Sequence, residues 1–391
     1  MTTAASSVIL GWGRSAVLPV GGTFAQLAPH QIAAPVLLAI LQRYGIARAA
    51  VDTVIAGNAL GAGGNPARMV ALAAGLPDSV AALSVDTQCC ASLDAVTLAH
   101  GLICAGNADI VIAGGVEAWS RAPIRQHRPR QVDAAAIPYD SPAFAPDPAR
   151  DPDMLLAAAR HALRAGITRA AQEAWSVSAH ARAVAAQLRL QQEIVAIDGA
   201  DHDSYPRLLQ ARHLARMPVA SVSDDEGVDL AIRQAHAVSR IAISPRADGA
   251  AFVVIASAAA ARKWGLTPQF AWRASVAVGA LPETPMLAAI DASAALLRRS
   301  GQTMADMWTV ELHDAFAAQA LAYCAALQLP ADRLNRSGGG LSRGHPIGAS
   351  GAVSLVQLLA DMQHAAPSGA LGLAAIAAAG GIGAAALVAR C

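Results

Sequence analysis

Gly344-His345-Pro346-Ile347-Gly348-Ala349-Ser350-Gly351 is the stretch from which the fold of this 391-residue chain is read. It follows Gly338-Gly339-Gly340-Leu341-Ser342-Arg343, so glycines crowd a loop that runs straight into an apolar helical pattern. Glycines cost chain entropy, and their density is best explained where backbone must come close to a ligand or take up positive φ. A histidine in such a loop is a candidate base for a nucleophile elsewhere in the fold. Taken alone, His345 is as compatible with an ordinary surface position.

A nucleophile stands far upstream. Val85-Asp86-Thr87-Gln88 reads as the end of a strand, giving way to Cys89-Cys90-Ala91-Ser92-Leu93 at the head of a helix expected over Ala91 to Cys104. A thiol there meets unpaired N–H groups and the positive end of the helix dipole, which lower its pKa and favour the thiolate. The plain alternative is a cysteine buried among small residues. His313 and Asp314 form a third polar position, closing the strand Trp308 to Leu312 and opening a helix from Ala315 to Leu327. Open α/β sheets place their sites at such carboxyl edges, and an N-cap by either residue is the structural alternative.

Short β-branched runs alternate with longer helical patterns: a strand at Val51 to Ile55, a helix from Pro66 to Gly75, and a strand at Asp109 to Ala113 after the helix ending at Cys104. That alternation predicts an α/β sheet with helices on its faces. From about Ser120 to Arg240 the texture changes, with proline, arginine and histidine concentrated in Arg125 to Arg130 and Pro138 to Pro152, followed by a polar helix over Thr168 to Leu190. This reads as an inserted sub-domain. The α/β texture resumes near Ile241. The halves echo one another: Ala113-Gly114-Gly115-Val116 and Ala379-Gly380-Gly381-Ile382 each close a strand downstream of a helix opening on small residues, as an ancient duplication would leave them. Gly369 to Ala389 is uncharged for the length of a membrane span, but its alanine and glycine content fits two buried strands joined by a glycine turn.

Composition excludes several classes. With 29 basic and 28 acidic residues the net charge is +1, spread without blocks, so neither nucleic acid nor a membrane surface is an expected partner. Five scattered cysteines lack paired C-x-x-C spacing, which argues against a zinc site or redox dithiol and for a reducing cytoplasm. Met1 to Val20 carries no export pattern. Gly61-Ala62-Gly63-Gly64-Asn65-Pro66-Ala67 mimics a dinucleotide fingerprint, with Asp86 as its ribose acid, but Pro66 occupies the third glycine position. An NAD-dependent oxidoreductase is therefore a minor alternative.

These pieces in this order resemble the thiolase family, the acyl-CoA C-acyltransferases, nearly end to end. Val51 to Ile55 with Gly64-Asn65-Pro66-Ala67-Arg68 is similar to the early strand and helix signature. Val85 to Val96 resembles the nucleophile motif, Ala113-Gly114-Gly115-Val116-Glu117 the A-G-G-x-E segment, and Asp248-Gly249-Ala250-Ala251 the D-G-A-A return. His313-Asp314-Ala315-Phe316 resembles an H-D-x-F variant of N-E-A-F, and the Gly344 stretch matches the G-H-P loop, the most specific motif of all. The resemblance implies a five-layered αβαβα fold of two similar halves, residues 1–119 plus 241–264 and 265–391, with an inserted CoA-binding loop domain over 120–240. It implies a homodimer or homotetramer acting on an acyl-CoA thioester, with no permanently bound cofactor.

By the same resemblance Cys89 would accept the acyl group and His345 would activate it. His313 would hold a water that forms one oxyanion hole with His345. The N–H groups of Cys89 and Ala379 would form the other, and Ser244, Met154 and Phe316 would contact substrate or CoA. The family's second cysteine, in its C-x-G motif, aligns with Ala377, which has no proton to give. General acid–base catalysis is worth about 10² to 10⁴-fold, so carbon–carbon bond chemistry would be crippled unless another group, His313 first, takes over. Cys90 would point away along the helix and Cys324 would lie in the core. Met154-Leu155-Leu156-Ala157-Ala158-Ala159 departs from M-G-x-T-A-E, and Asp229 replaces an arginine expected near a phosphate. Ala377 and Asp229 together motivate an alternative, a non-catalytic thiolase-fold subunit that binds acyl thioesters or a partner enzyme.

Overall fold

The structure, a computed structural model, describes residues 7–61 and 63–391. The first six residues of the segment read for export signals, and Ala62 of the dinucleotide-like loop, lie outside the described residues. In chain order the elements that place the site are β1 Ser7–Ser15, α1 Pro29–Arg43, β2 Thr53–Gly57, α2 Pro66–Ala73, β3 Ala81–Val85, α3 Ala91–Cys104 and β4 Ile110–Ala118. The insertion carries α4 Met154–Arg164 and α5 Arg169–Leu190. Then follow β5 Ala247–Ser257, β6 Phe270–Gly279, α6 Ala288–Ser300, β7 Met307–Leu312, α7 Ala317–Leu327, α8 Ser350–Ala365, β8 Leu371–Ala378 and β9 Ile382–Arg390.

The strands lie in the order β7-β8-β9-β6-β1-β5-β4-β2-β3. In the first half β2, β3 and β4 are parallel, and β5 runs antiparallel to both β4 and β1. The second half repeats this pattern, with β7 parallel to β8 and β9 antiparallel to both β8 and β6. Only Leu334, bridging Val310 in parallel, stands where a counterpart of β3 would lie. The half-sheets touch where Val8 and Ile9 pair with Ala271 and Phe270. This shared connectivity supports the duplication suggested by the sequence, although one echo differs in detail. Ala113–Val116 lies inside β4, whereas Ala379, Gly380 and Gly381 turn the β8–β9 hairpin, both glycines at positive φ.

Three cores stack the elements into five layers. Ile32, Val36 and Ile40 of α1 and Val70 of α2 cover one face of the first half-sheet, against Val54, Ile112 and Val254. Leu93 and Val96 of α3 and Leu355, Val356 and Leu359 of α8 fill the middle, between Val111 and Val253 on one side and Ile376 and Val388 on the other. Leu296 of α6 and Tyr323 of α7 close the outer face on Val310, Leu373 and Leu387. Full burial of each such aliphatic side chain contributes roughly 1.5–3 kcal/mol, and central-layer strands are covered on both faces, which is why they read as unbroken apolar runs. The membrane-like stretch is thus the β8–β9 hairpin, and no helix among the described residues is long and apolar enough to cross a membrane.

The insertion is tied to β1 by a buried guanidinium. Arg14 donates to Glu193 at 2.6 Å and to both carboxylate oxygens of Asp203 at 2.7 and 2.9 Å, all three side chains being buried. Helix α5 begins one residue later than the sequence suggests, because Thr168 serves as its N-cap and accepts from Ala171 N–H.

Candidate active site

Cys89 sits in a single 3₁₀ turn, Gln88–Cys90, between β3 and α3. Gln88 is held at φ 55°, a left-handed conformation uncommon outside glycine. The turn is stabilised from Asp86, whose Oδ1 accepts from the Gln88 N–H at 2.9 Å and from its side-chain amide at 3.0 Å. Strained turns of this kind persist where a side chain must be aimed. Asp86 thereby has a local role in place of the ribose contact weighed above. Asn65 likewise caps α2 through the Arg68 N–H, filling the position a pyrophosphate would need.

The two distant motifs meet. Cys89 Sγ lies 3.1 Å from His345 Nε2, and Cys89 is only half-buried. The other ring nitrogen, Nδ1, is 2.7 Å from Ser350 Oγ, and Ser350 spends its own hydroxyl proton on the Pro346 carbonyl at 2.9 Å. Ser350 therefore accepts from Nδ1–H, which leaves the Nε2 lone pair facing the thiol. The backbone of His345 is fixed independently. Its N–H donates to the Pro245 carbonyl at 2.7 Å, and its carbonyl accepts from Trp119 Nε1–H at 3.1 Å.

The expected lowering of the thiol pKa is overturned. Burial pushes Cys89 up to about 12, outweighing the N–H groups of Ala379 and of Cys89 itself that favour the thiolate, while Glu117 and Asp86 add like charge. The helix-end effect is local and modest, whereas removing the sulfur's charge from water is a tertiary cost. Burial also lowers His345 to about 4. The resting pair is a neutral thiol beside a neutral imidazole. The Ala379 N–H faces the same sulfur.

His313 packs against His345 with ring centroids 4.3 Å apart, and its buried Nε2 has no hydrogen-bond partner in the structure. Burial, His345 and Arg343 hold its pKa well below the ordinary imidazole value. The ring fits because position 340 is glycine: a Cβ there would collide with the imidazole. The capping alternative for His313 and Asp314 fails, since α7 has Phe316 at its N-cap with no side-chain bond. Asp314 instead accepts from Leu341 N–H at 3.1 Å and Trp175 Nε1–H at 3.2 Å. Cys90 Sγ points to the carbonyls of Ile376 and Ile382, away from the pair, and Cys324 packs at the edge of the outer core.

Beside these turns a cleft of about 920 Å³ opens between the insertion and the return segment 240–246, with none of Cys89, His313 and His345 in its lining. Met154, Leu155, Phe144 and Tyr205 line it from the insertion, and Arg240, Ser244 and Arg246 line it from the return segment. Ser244 Oγ donates to the Gly340 carbonyl at 2.7 Å, joining this wall to the floor beneath His313. Phe316 does not line the cleft. Its backbone bridges Ile243, which does, and its ring turns into the outer core. Asp229 caps the short helix Leu230–Ala235 by accepting from Ala231 N–H, so its charge is engaged locally. Ala377 lies two residues past the parallel run of β8 with β7 and pairs with Gly383 across the β8–β9 hairpin, half-exposed and without any titratable atom.

Comparison with known proteins now decides the family. The Thiolase, N-terminal domain profile matches residues 7–259, and the Thiolase, C-terminal domain profile matches 266–390. The chain belongs to the thiolase family. Members are acyl-CoA C-acyltransferases, and the chain is an enzyme of that class. It is 35% identical over 396 residues to an acetyl-CoA acetyltransferase of Cupriavidus necator, covering 98% of this chain and 99% of that one. It is 34% identical to an acetyl-CoA acetyltransferase of Allochromatium vinosum, covering 98% of each. Among solved structures, the Acat5 thiolase of Ascaris suum in complex with coenzyme A superposes with a TM-score of 0.88 at 25% identity, covering 99% of this chain and 100% of that one. The acetyl-CoA acetyltransferase of Bacillus anthracis gives 0.87 at 27%, with 100% of both chains covered. The αβαβα architecture expected from the motifs is thus the thiolase fold, and the dinucleotide reading falls with it.

Sequence reasoning overlooked four residues that the fold brings to this region. Ser350 was part of the quoted motif without a role; its position five residues past His345, at the first turn of a helix, is the signal that it reaches back to the ring. Arg240 and Arg246 gave no pattern, because only the fold turns their segment towards the cleft. Glu117 closed the A-G-G-x-E segment, but its partners come from both halves.

Proposed function

We propose that this thiolase takes an acyl group from an acyl-CoA thioester onto Cys89 and releases CoA as the first half of its reaction. The 3.1 Å approach of Cys89 Sγ to an imidazole whose far nitrogen is committed to Ser350 carries this reading. As Sγ attacks the thioester carbonyl, its proton passes to His345 Nε2, and the carbonyl π pair moves onto oxygen. The N–H groups of Cys89 and Ala379 stabilise that oxyanion, a contribution worth about 10² to 10³-fold per donor in a comparable site. The carbonyl re-forms as the C–S bond to CoA breaks, and the CoA sulfur takes the proton back from His345. His313 Nε2 supports a bound water that completes a second oxyanion hole with His345. The carbon–carbon step needs a base at the acyl α-carbon, which Ala377 does not supply, and His313 ranks first as its replacement.

The cleft supports CoA as the carrier. Arg240 and Arg246 are exposed on its wall and lack an acidic partner among the described residues, Arg246 lying over the Trp119 ring at 4.7 Å. These two cations, with Ser244 and Met154, take the phosphate and pantetheine arm in place of the arginine lost at Asp229. With Asp229 explained as a helix cap, the non-catalytic alternative keeps only Ala377 in its favour. We divide the chain as the motifs did, with 120–240 as the CoA-binding loop domain. A homodimer fits the open edge of β3, where Leu83 is exposed beside Met69 and Leu72 of α2. The cytoplasm fits the free cysteines.

Rapid mixing with acetyl-CoA tests the reading. One equivalent of CoA thiol is released in a burst, intact mass shows an acetyl adduct on Cys89, and both vanish in Cys89→Ala. Absence of the adduct in the native protein sinks it. Arg240→Ala with Arg246→Ala raises KM for acetyl-CoA while leaving the N-acetylcysteamine thioester, which has no phosphate, at its native value.

A further inference from the structure

Glu117 is a buried carboxylate that the steps above do not use. It ends β4 on the face turned to the central layer, directly under the G-H-P loop. Its Oε2 accepts from Ala59 N–H at 2.9 Å in the first half and from Gly348 N–H at 3.0 Å in the second, while Oε1 accepts from Asn58 Nδ2 at 2.7 Å. One carboxylate thus joins the two halves three residues from His345. The next contact along the same strand end, Trp119 Nε1–H to the His345 carbonyl, holds the other side of the loop. Packing leaves no slack: a Cβ on Gly348 would lie 2.6 Å from Asn58 Cα and 2.9 Å from Glu117 Oε2. The ionisable groups that face the carboxylate are Asp86 and Cys89, both from the nucleophile turn.

We propose that Glu117 is a positioning residue of this site: it fixes the Gly344–Gly348 loop, and with it the His345 imidazole, against the Asn58 turn. This rests on the acyl-transfer reading given above. Burial raises Glu117 to about 7, so above neutrality the group is charged and opposes a second negative charge on the sulfur.

The experiment follows iodoacetamide labelling of Cys89 against pH on the full chain, with the adduct located by peptide mass because Cys104 and Cys391 are also exposed. Acetylation by acetyl-CoA is followed in parallel. In Glu117→Gln the labelling midpoint falls by on the order of one pH unit, the size of one charge removed from a buried neighbour. Acetylation slows by about 10- to 100-fold as the amide opposes N–H donors. Glu117→Asp keeps the charge but withdraws it by one methylene, so its midpoint stays at the native value while acetylation slows. A folded Glu117→Gln with an unmoved midpoint, or with acetylation within threefold of native, overturns the proposal. If that variant does not fold, native acetylation in Glu117→Asp overturns it. Labelling needs no acyl substrate, so a native protein that fails to acetylate defeats the acyl-transfer reading and leaves the Glu117 test standing.

Discussion

Replacing Ser350 with alanine removes one atom from the site and isolates what orientation of the base contributes. The His345 backbone is held by Pro245 and Trp119 rather than by Ser350, so the loop stays in place and only the ring loses a partner. In the native protein Nδ1–H donates to Oγ at 2.7 Å. When Nε2 takes the thiol proton the ring becomes cationic, and the same bond becomes charge-assisted, worth roughly 1.5–3 kcal/mol. Loss of that amount from the transition state slows acylation by about 10- to 150-fold. A free Nδ1 also permits the tautomer with its proton on Nε2, which cannot accept from Cys89. The Pro346 carbonyl keeps the Ala349 N–H at 2.8 Å but loses the Ser350 hydroxyl, lowering stability by about 0.5–1.5 kcal/mol, so unfolding midpoints are measured alongside the rate. Quench-flow measurement of the CoA burst reads the acylation constant directly. A folded Ser350→Ala that acetylates within threefold of the native rate refutes the assignment of the tautomer and of the base.

Three further outcomes follow. Ala377→Cys restores a thiol at the acyl α-carbon, so deuterium exchange into the acetyl-CoA methyl group in D₂O, read by mass spectrometry, rises about 10² to 10⁴-fold; no gain would show that position 377 is not the family's second cysteine. Gly348→Ala forces a Cβ into Asn58 and Glu117, destabilising the fold by about 1–3 kcal/mol in urea titration and abolishing the burst, whereas a native midpoint would mean the loop can yield. Arg14→Met leaves the buried Glu193 and Asp203 unpaired and costs about 3–5 kcal/mol near neutral pH. Asp203 is held below the usual carboxylate range by that guanidinium, so in the native protein its contribution is present above the unfolded pKa and is lost as pH falls through the folded one. In the variant the unpaired acids favour protonation, so its deficit relative to the native protein narrows on acidification; a deficit constant with pH counts against this account.

How much of this was legible depended on how far each cause extends along the chain. The bounds of α3, Ala91–Cys104, agree with the sequence reading because a helix is written in local periodicity. The hairpin inside Gly369–Ala389 was readable because buried strands and a glycine turn leave a composition no helix needs. Cys89 and His345 were readable as motifs, but the direction of the sulfur's pKa was not: the helix end is local, and the burial that outweighs it comes from residues hundreds of positions away. Phe316 was expected against substrate and lies in the outer core, since its bridge to Ile243 is a tertiary pairing with no periodic trace. Glu117 shows the same limit, since its three donors come from two halves of the fold.

The small-residue echo between Cys90-Ala91-Ser92 and Gly348-Ala349-Ser350-Gly351 acquires a physical cause from the packing of α3 on α8. The heads of these two central helices are in contact: Ser92 Oγ accepts from Ala352 N–H at 2.9 Å, and a Cβ on Gly351 would stand 2.9 Å from that of Leu93. The same crowding recurs beneath them, where Cβ atoms on Gly57 or Gly115 would run into the Gly348 carbonyl. Bulk at any of these positions would part the helix heads, and each head carries one member of the proposed acyl-transfer pair, Cys89 just before α3 and His345 just before α8. A thiol proton can be handed to an imidazole only at hydrogen-bond range. The glycines and serines that look like compositional noise therefore set the distance on which the acyl transfer depends.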